Sequence, residues 1–340
     1  MINFVRRERI YILMIVFVLA VNLLAQGHQE KSYTEDKKAI SAMTFNELGI
    51  TEEKVKDFLE SNKPSARFFN YSIIIGFFVF ITALILNLVF IFTGKRVDFK
   101  KSTQIQAVSW GIPDLIRASI IIIFLSYAIG IVGSFVLKFF NIKLGLNLHM
   151  MLSTFFIDIA VVWVIFYFVT VKYRKTLQSL GLRLPNFFSN ILTGVTAYIL
   201  TLPLLLVILV LSIWILNLLG YTPPPQPVFE IFMKEGRNKV LFFLAIFVSL
   251  LGPIIEEVFF RGFMYSAIRK YTGIMAAAFL SGAIFSLLHT NIVGFFPIMA
   301  LGILLAYLYE TTGSLTASMT VHIIHNSIIV AFVFFIKQLI

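Results

Sequence analysis

The sequence predicts an all-α fold: a polytopic helical membrane protein with about eight or nine transmembrane helices and a buried polar site in its C-terminal helices. Of the 340 residues, 59% are hydrophobic and only 13% are charged, whereas soluble domains carry about 25% charged residues. A spanning helix needs about 20 mostly apolar residues. Five runs without any Asp, Glu, Lys or Arg are at least that long: 68–94, 118–137, 184–229, 271–309 and 311–336.

The charges are distributed as in membrane proteins. The net charge of +11 comes from basic residues grouped in short segments beside the apolar runs, which is how orientation signals are placed. The charge therefore predicts contact with a lipid bilayer and no nucleic-acid partner. The absence of cysteine excludes disulfides, thiol catalysis and thiolate metal ligands.

The chain divides into four predicted regions. Residues 1–25 place basic residues before a 16-residue apolar stretch, which indicates a signal anchor or first transmembrane helix. Residues 26–67 form a polar extracytoplasmic loop, in which Val55, Phe58 and Leu59 share one face of a short amphipathic helix. Accessory transmembrane helices follow over 68–180, and a catalytic transmembrane core occupies 181–340. We expect further helices near 69–93, 115–137, 149–171, 188–219, 239–268, 274–290, 295–309 and 315–336.

Lysine and arginine placement predicts the orientation. The basic segments at 6–9, 94–101, 172–175 and 269–270 fall on one side of the membrane if there are nine spans, and that side is cytoplasmic. The proline-rich segment 221–227 then lies on the far side as a stiff extended loop. We expect an integral protein of the bacterial plasma membrane, with its site open toward the cytoplasm.

Charged and polar residues inside apolar helices are the candidates for function. A charge at the centre of a membrane helix costs roughly 2.5–3.5 kcal/mol, and such residues usually face the protein interior. The candidates are Asp158, Glu256, Glu257, Arg261, His289, His322, His325 and Asn326. Asp158 belongs to no motif, and we interpret it as structural or partnered.

Spacing separates the two adjacent glutamates. Glu257 and Arg261 are four residues apart, share a helix face and are expected to pair. Glu256 lies about 100° around the helix and has no such local partner. A carboxylate without a cation in a dry site readily takes a proton, so Glu256 is the residue available for chemistry. Pro253 removes one backbone hydrogen bond and is expected to kink the helix.

Two more helices are predicted to reach the same depth. Glu256 and His289 are equidistant from the turn at 271–273, with about 25 Å of helix on each limb, so they lie level. His322, His325 and Asn326 project from one side of a later helix, which enters from the turn at 310–314. Each histidine alone is more commonly a helix-to-helix hydrogen bond, but the complete set indicates a site.

A carboxylate with imidazoles in a shielded cavity suits general acid–base activation of water. Asn326 and His322 can donate hydrogen bonds to a developing oxyanion, which points to peptide-bond hydrolysis. The alternative is a zinc site with His289, His322, His325 and Glu256 as candidate ligands. Spacing leaves both readings open.

Three ordered motifs resemble those of one family. The stretch from Glu256 to Arg261 is similar to the EExxxR motif of the CPBP family, which includes CAAX prenyl endopeptidases and Abi-type proteins. Phe285 to His289 resembles its FxxxH motif, and His322 to Asn326 its HxxxN motif. The resemblance covers roughly residues 185–335 and implies a CPBP-like core.

The resemblance also implies roles for the motif residues. Glu256 and His289 would activate the attacking water, and His322 and Asn326 would form the oxyanion hole. Three residues would support the site: Glu257, Arg261 and Phe285. The implied activity is a glutamate-dependent intramembrane endopeptidase without cofactor, with zinc as the alternative, acting on a membrane-associated peptide or protein. The competing functions are a non-catalytic membrane scaffold that regulates partner membrane proteins and, behind it, a proton-coupled transporter.

Overall fold

The computed structural model describes residues 2–29, 49–93, 105, 107–221 and 227–339 as a bundle of helices, with no strand in these ranges. Seven of the described helices are long and apolar enough to cross a membrane. They are Pro64–Phe92, Ile112–Phe139, Leu148–Lys172, Phe187–Leu218, Asn238–Thr272, Phe295–Thr312 and Leu315–Gln338. With the 28-residue helix Ile2–Gln29 and the shorter Ile274–Leu288, the described bundle agrees with the predicted eight or nine. The chain is an integral membrane protein.

The first six helices of the described chain are α1 (Ile2–Gln29), the short α2 (Glu52–Glu60), α3 (Pro64–Phe92), α4 (Ile112–Phe139), α5 (Leu146–Phe166) and α6 (Phe187–Leu218). Helices α3, α4 and α5 correspond to the predicted accessory region, whereas α6 falls within the predicted core. Helix α5 continues as a π-helical segment, Tyr167–Lys172. A 3₁₀ turn, Leu177–Leu180, connects it to α6.

Three later helices carry the sequence motifs. The first motif helix runs through Asn238–Thr272 and contains two π-helical segments, Phe247–Leu251 and Val258–Tyr265. The second motif helix is Ile274–Leu288, and the third is Leu315–Gln338. A bridging helix, Phe295–Thr312, connects the second to the third.

Pro253 was expected to kink the helix. In the structure the helix changes there from π-helical to α-helical hydrogen bonding. Pro253 lies near the start of an α-helical segment, Gly252–Glu257, directly after the first π-helical turn. Proline has no N–H to donate, and single π-turns inside α-helices are frequent at functional sites. The six residues that contain both glutamates therefore lie between two widened turns.

The accessory helices pack directly on the first motif helix. Trp110, fully buried before α4, donates its Nε1–H to the carbonyl of Phe263 at 3.0 Å and stacks on the Phe263 ring at 5.5 Å between centroids. Phe263 belongs to the second π-helical segment, whose altered hydrogen-bond pattern needs such outside partners. The N-terminal half thus stabilises the helix that bears the glutamates.

Two tight turns set the depth of the motif residues. Gly273 (φ +82°) separates the first and second motif helices, and Gly313 (φ +63°) separates the bridging and third helices. These backbone angles favour glycine. Tyr265 donates to Glu310 Oε2 at 2.8 Å and Arg269 Nη2 donates to Glu310 Oε1 at 2.7 Å, so the end of the bridging helix is bonded to the last turns of the first motif helix.

The opposite end of the third motif helix is held by two short helices. In α2, Phe58 is buried and its ring lies 5.8 Å from that of Phe335, which confirms the predicted amphipathic helix. Helix α7 (Pro227–Lys234) was not predicted, because the prolines of segment 221–227 indicated an extended loop. Lys337 Nζ donates to the carbonyls of Phe232, Met233 and Glu235 near its end. The rest of the predicted extended loop, 222–226, and the basic segment 94–101 lie outside the described residues.

Candidate active site

A buried ion pair connects the motif helices. Arg261 Nη1 lies 2.8 Å from Glu257 Oε1, and both side chains are essentially fully buried, at 1% and 0% exposure. Arg261 Nη2 also donates to the carbonyl of Gly302 on the bridging helix at 3.2 Å. Because a Cβ at Gly302 would meet the Gly282 Cα at 2.8 Å, glycines at this crossing let the backbone approach the guanidinium.

The same carboxylate holds the first histidine of the third motif. His322 Nδ1 lies 2.9 Å from Glu257 Oε1. An ionised carboxylate accepts only, so Nδ1 carries the proton of this bond and Nε2 faces the other glutamate. His322 Nε2 lies 3.7 Å from Glu256 Oε2, beyond direct hydrogen-bond distance. Glu257 therefore binds both Arg261 and His322.

Glu256 has the complementary environment. Its side chain is 36% exposed, and its Oε2 has no hydrogen-bond partner among the described residues. No lysine or arginine within the described chain forms an ion pair with it. Adjacent positions on one helix therefore hold one carboxylate that is buried and neutralised and one that is open and unpaired.

The second motif contacts this site through the aromatic ring of Phe285. Phe285 is buried between the Arg261 guanidinium, 4.5 Å from the ring centroid, and the His322 ring, 5.5 Å away. Its ring also meets Phe260 at 4.9 Å. Positions 260 and 285 are equidistant from the turn, as 256 and 289 are, so the hairpin places Glu256 and His289 level.

His289 itself is exposed at the end of its helix. Its Nδ1 lies 2.8 Å from the carbonyl of Phe285, and the two rings are 4.5 Å apart. A carbonyl only accepts, so Nδ1 carries the proton and Nε2 is the free acceptor. His289 adjoins the site through Phe285; in the described structure it makes no hydrogen bond to Glu256.

The other two residues of the third motif have different neighbours. Asn326 Nδ2 donates to the carbonyl of Val248, in the first π-helical segment, at 2.9 Å. His325 Nδ1 lies 3.1 Å from the Tyr198 hydroxyl on α6. His322 and Asn326 thus face the first motif helix, whereas His325 faces α6. His325, which was predicted on the same side of the helix, therefore has a different partner from the other two.

A zinc site would need at least three ligands close together. Within the described ranges no three His, Asp or Glu side chains group closely enough to hold a metal ion. His325 contacts Tyr198, whereas the bonds of His289 Nδ1 and His322 Nδ1 to Phe285 and Glu257 leave both Nε2 atoms free. We derive no step through a metal.

Asp158 is nearer the site than its sequence suggests. It lies on α5, which contacts the segment Gly252–Glu257. No hydrogen bond or ion pair joins Asp158 to a described residue, so of the two alternatives, structural or partnered, no partner is found in these ranges. In the sequence, the only indication that Asp158 lies near the site was a charged residue within an apolar helix.

Comparison with known proteins finds a similarity over the part of the chain that bears the motifs. A family profile described as "Type II CAAX prenyl endopeptidase Rce1-like" matches residues 238–328. The matched region begins with the first motif helix and contains all three motifs, from Glu256 to Asn326. It does not include the accessory helices.

One curated relative supports the same class. The chain is 29% identical over 87 residues to a protein of Bacillus subtilis strain 168 named "Putative membrane peptidase YdiL". The aligned part is 26% of this chain and 36% of the relative, so the chain spans about a third of the relative's length. No solved structure matches the chain.

Proposed function

We propose that the protein is an intramembrane endopeptidase that hydrolyses a peptide bond of a membrane-associated peptide or protein with water activated by Glu256 and His289. The main support for this proposal is that the two glutamates have different partners. Glu257 neutralises Arg261 and binds His322 through its Oε1, whereas Glu256 makes no hydrogen bond to a described residue. A free carboxylate in a largely apolar setting is a suitable general base.

The tautomer of His289 supports a role beside Glu256. Since its Nδ1–H is given to the Phe285 carbonyl, the neutral ring offers the Nε2 lone pair to a water hydrogen. Two acceptors at the same depth orient one water molecule through its two hydrogens. Its oxygen lone pair is then left to attack a substrate carbonyl carbon.

The oxyanion hole is assigned to His322 and Asn326. The Asn326 amide gives one N–H to Val248 and has a second to donate. His322 gives its Nδ1–H to Glu257, so it donates from Nε2 only as the imidazolium. Both donors then stabilise the negative charge that develops on the carbonyl oxygen.

The proton transfers of the proposed reaction balance. Water forms a C–O bond to the substrate carbon while Glu256 takes one of its protons. Collapse of the tetrahedral intermediate breaks the C–N bond, and the proton passes from Glu256 to the leaving nitrogen. The products are a carboxyl group and an amine, and Glu256 returns to its carboxylate form.

The cellular setting is part of the proposal. The basic segments assign the turn at Gly273 to the cytoplasmic side, so the site is expected to open toward the cytoplasm of a bacterial plasma membrane. The partners are the lipid bilayer and a membrane-associated peptide or protein, with no nucleic acid and no cofactor. The Rce1-like match supports CAAX-type endopeptidase chemistry as the class of reaction.

The test compares new N-termini in membranes. Membrane peptides from cells that lack the protein, express it, or express Glu256→Gln or His289→Ala are sequenced by mass spectrometry. We expect a set of new N-termini that requires the unchanged chain and is absent from both variants. Glu53→Gln, on the exposed face of α2, and His149→Ala, on α5, are the matched controls and retain cleavage.

The competing scaffold function predicts a different result. If both site variants are present in the membrane at normal levels and the set of new N-termini is unchanged, the protein is not the peptidase. A cellular phenotype that survives both substitutions would then favour a scaffold.

A further inference from the structure

A polar cleft lies on the connection between two membrane-spanning helices. Residues 173–186 join the spans Leu148–Lys172 and Phe187–Leu218, so the cleft lies at a membrane boundary. The basic segment 172–175, assigned to the cytoplasmic side, leads into it. The cleft has a volume of about 380 Å³, many times the roughly 30 Å³ that a water molecule occupies in the liquid. Its lining residues are Lys175, Thr176, Gln178, Ser179, Arg183 and Pro185.

The two cations of this cleft differ from other basic residues at the same end of the bundle. Three of those are paired with buried acids: Lys172 with Asp114, Arg117 with Glu8 and Arg269 with Glu310. Neither Lys175 nor Arg183 forms an ion pair with an acid in the described part of the chain. Arg183 Nε donates to the carbonyl of Gln178 at 3.3 Å, which leaves its two Nη groups for another acceptor. A cleft lined by one sign of charge attracts ions of the other sign.

The backbone of the cleft is held by the region that matches the Rce1-like profile. The Tyr309 hydroxyl donates to the carbonyl of Leu180 at 3.1 Å. The Leu315 N–H donates to the carbonyl of Gly181 at 2.9 Å. Leu315 is the first residue of the third motif helix. The connection between the two spans is therefore attached to the start of that helix, and the cleft is formed before any ligand binds.

Two apolar side chains directly follow the cleft in the sequence. Leu184 and Phe188 are each 83% exposed, and they lie where α6 begins. Covering such side chains with hydrocarbon is favourable. A small soluble anion would neutralise the cations and leave both apolar side chains uncovered. A ligand with an anionic phosphate and acyl chains matches both parts of the surface.

We propose that the cleft binds an anionic phospholipid of the cytoplasmic leaflet, with its phosphate between Lys175 and Arg183 and its acyl chains along Leu184 and Phe188. Basic pockets on the cytoplasmic side of membrane proteins bind anionic headgroups, and that leaflet is rich in them. The bound lipid stabilises the connection that is attached to the third motif helix. This binding needs no peptidase activity.

The first experiment measures lipid preference. The purified full chain in detergent micelles is titrated with phosphatidylglycerol or phosphatidylcholine, and bound lipids are counted by native mass spectrometry. We expect phosphatidylglycerol to bind more tightly. Lys175→Gln combined with Arg183→Gln should weaken its binding roughly tenfold and leave phosphatidylcholine unchanged. Arg9→Gln combined with Lys270→Gln removes the same charge from exposed positions at the same end of the bundle, and should keep the preference.

A second measurement separates loss of the lipid from loss of the fold. Without added lipid, the variant with glutamine at 175 and 183 should unfold at nearly the same temperature as the unchanged chain. Phosphatidylglycerol should raise the Tm of the unchanged chain and have little effect on the variant. Lys175→Arg combined with Arg183→Lys keeps both charges and should retain most of the preference.

Further samples distinguish a lipid from a free anion. Inorganic phosphate and glycerol 3-phosphate, compared with chloride at equal ionic strength, should not reproduce the rise in Tm. Leu184→Ser combined with Phe188→Ser should weaken phosphatidylglycerol binding, because the acyl chains lose their contacts. Leu218→Ser combined with Leu219→Ser, exposed at the other end of α6, is the matched control and should bind normally.

Three results would overturn the proposal. Equal phosphatidylglycerol binding by the unchanged chain and by the glutamine variant at 175 and 183 shows that the cleft is not the site. Equal losses in that variant and in the variant at 9 and 270 assign binding to the overall positive charge of this end. An equal rise in Tm with inorganic phosphate makes the ligand a free anion. None of these results bears on the proposed peptidase, which the membrane comparison tests separately.

Discussion

Glu256 and Glu257 differ by one position and occupy opposite environments, and helical spacing was sufficient to assign them. The i,i+4 relation predicts that Glu257 pairs with Arg261, and their atoms lie 2.8 Å apart. What spacing could not predict is that Glu257 also binds His322 at 2.9 Å, because this contact depends on how two distant helices pack. The motif roles of Glu256, His289, His322 and Asn326 remain predictions.

The buried ion pair predicts a large asymmetry between single and double variants. Arg261→Leu leaves Glu257 charged and buried without its cation, and should lower the free energy of unfolding by about 3–5 kcal/mol. Glu257→Leu combined with Arg261→Leu removes both charges and should recover a large part of that loss. Unfolding of the purified protein in bicelles measures both.

The exposed pair Lys56–Glu60 in α2, at 3.9 Å, supplies the control. Lys56→Leu should change the free energy of unfolding by no more than about 1 kcal/mol. If Arg261→Leu is equally mild, Glu257 is not the charged, sequestered partner described above.

His325 shows the limit of sequence spacing at this scale. Its place between His322 and Asn326 suggested a ligand or a site residue, yet it contacts Tyr198 at 3.1 Å. We therefore expect His325→Phe to lower stability on the order of 1 kcal/mol, the value of one hydrogen bond, and to retain cleavage. Cleavage should also persist with 1,10-phenanthroline present. Loss of activity in either assay would favour the zinc alternative.

The motif helices depend on close backbone packing that the sequence only hints at. Gly302 and Gly282 meet where the bridging helix crosses the second motif helix, and the Gly302 carbonyl accepts from Arg261. Small residues at such crossings let membrane helices approach and pack. The sequence contains 19 glycines, and nothing in their local context distinguishes this pair from those that face open space.

Alanine substitution should separate these classes of glycine. Gly302→Ala forces a Cβ to within 2.8 Å of the Gly282 Cα, and should lower the free energy of unfolding by about 1–3 kcal/mol. Gly130→Ala on α4, where no heavy atom lies within 4 Å of the new Cβ, should be neutral or slightly stabilising, because alanine is the better helix former. Equal effects at the two positions would contradict the described crossing.

Helix positions were more predictable than helix depths. The apolar runs gave the order of the bundle helices, and the turn at Gly273 placed Glu256 level with His289. His322 is only about ten residues from its turn, so its level match to His289 was expected to be looser. His322 Nδ1 nonetheless lies 2.9 Å from Glu257 Oε1, because the depth of the third motif helix depends on how the helices pack.

At the scale of the whole molecule, different contacts hold the two ends of the bundle. Helices α2 and α7 meet the end of the third motif helix on one face. At the other end, Asp114 is bonded to Lys172 and to the Tyr173 hydroxyl, and Arg117 is bonded to Glu8. This end of the bundle carries basic residues of the segments assigned to the cytoplasm. Its ion pairs connect α1, α4 and the end of α5.

The accessory helices pack against the region that matches the Rce1-like profile. Trp110 bonds to Phe263, and α5 contacts the segment Gly252–Glu257. The sequence divided the chain into an accessory region and a core because the motifs fall only in the latter. Packing between them arises from apolar side chains without a motif, which a single sequence does not mark.

Hydrolysis in ¹⁸O-labelled water tests the central claim most directly. The purified chain is reconstituted in vesicles with a peptide that it cleaves, and the products are weighed by mass spectrometry. Attack by activated water predicts one ¹⁸O atom in each new C-terminal carboxyl group, and no product from Glu256→Gln. Product that forms at the normal rate from Glu256→Gln, or that carries no ¹⁸O, would contradict water activation at Glu256.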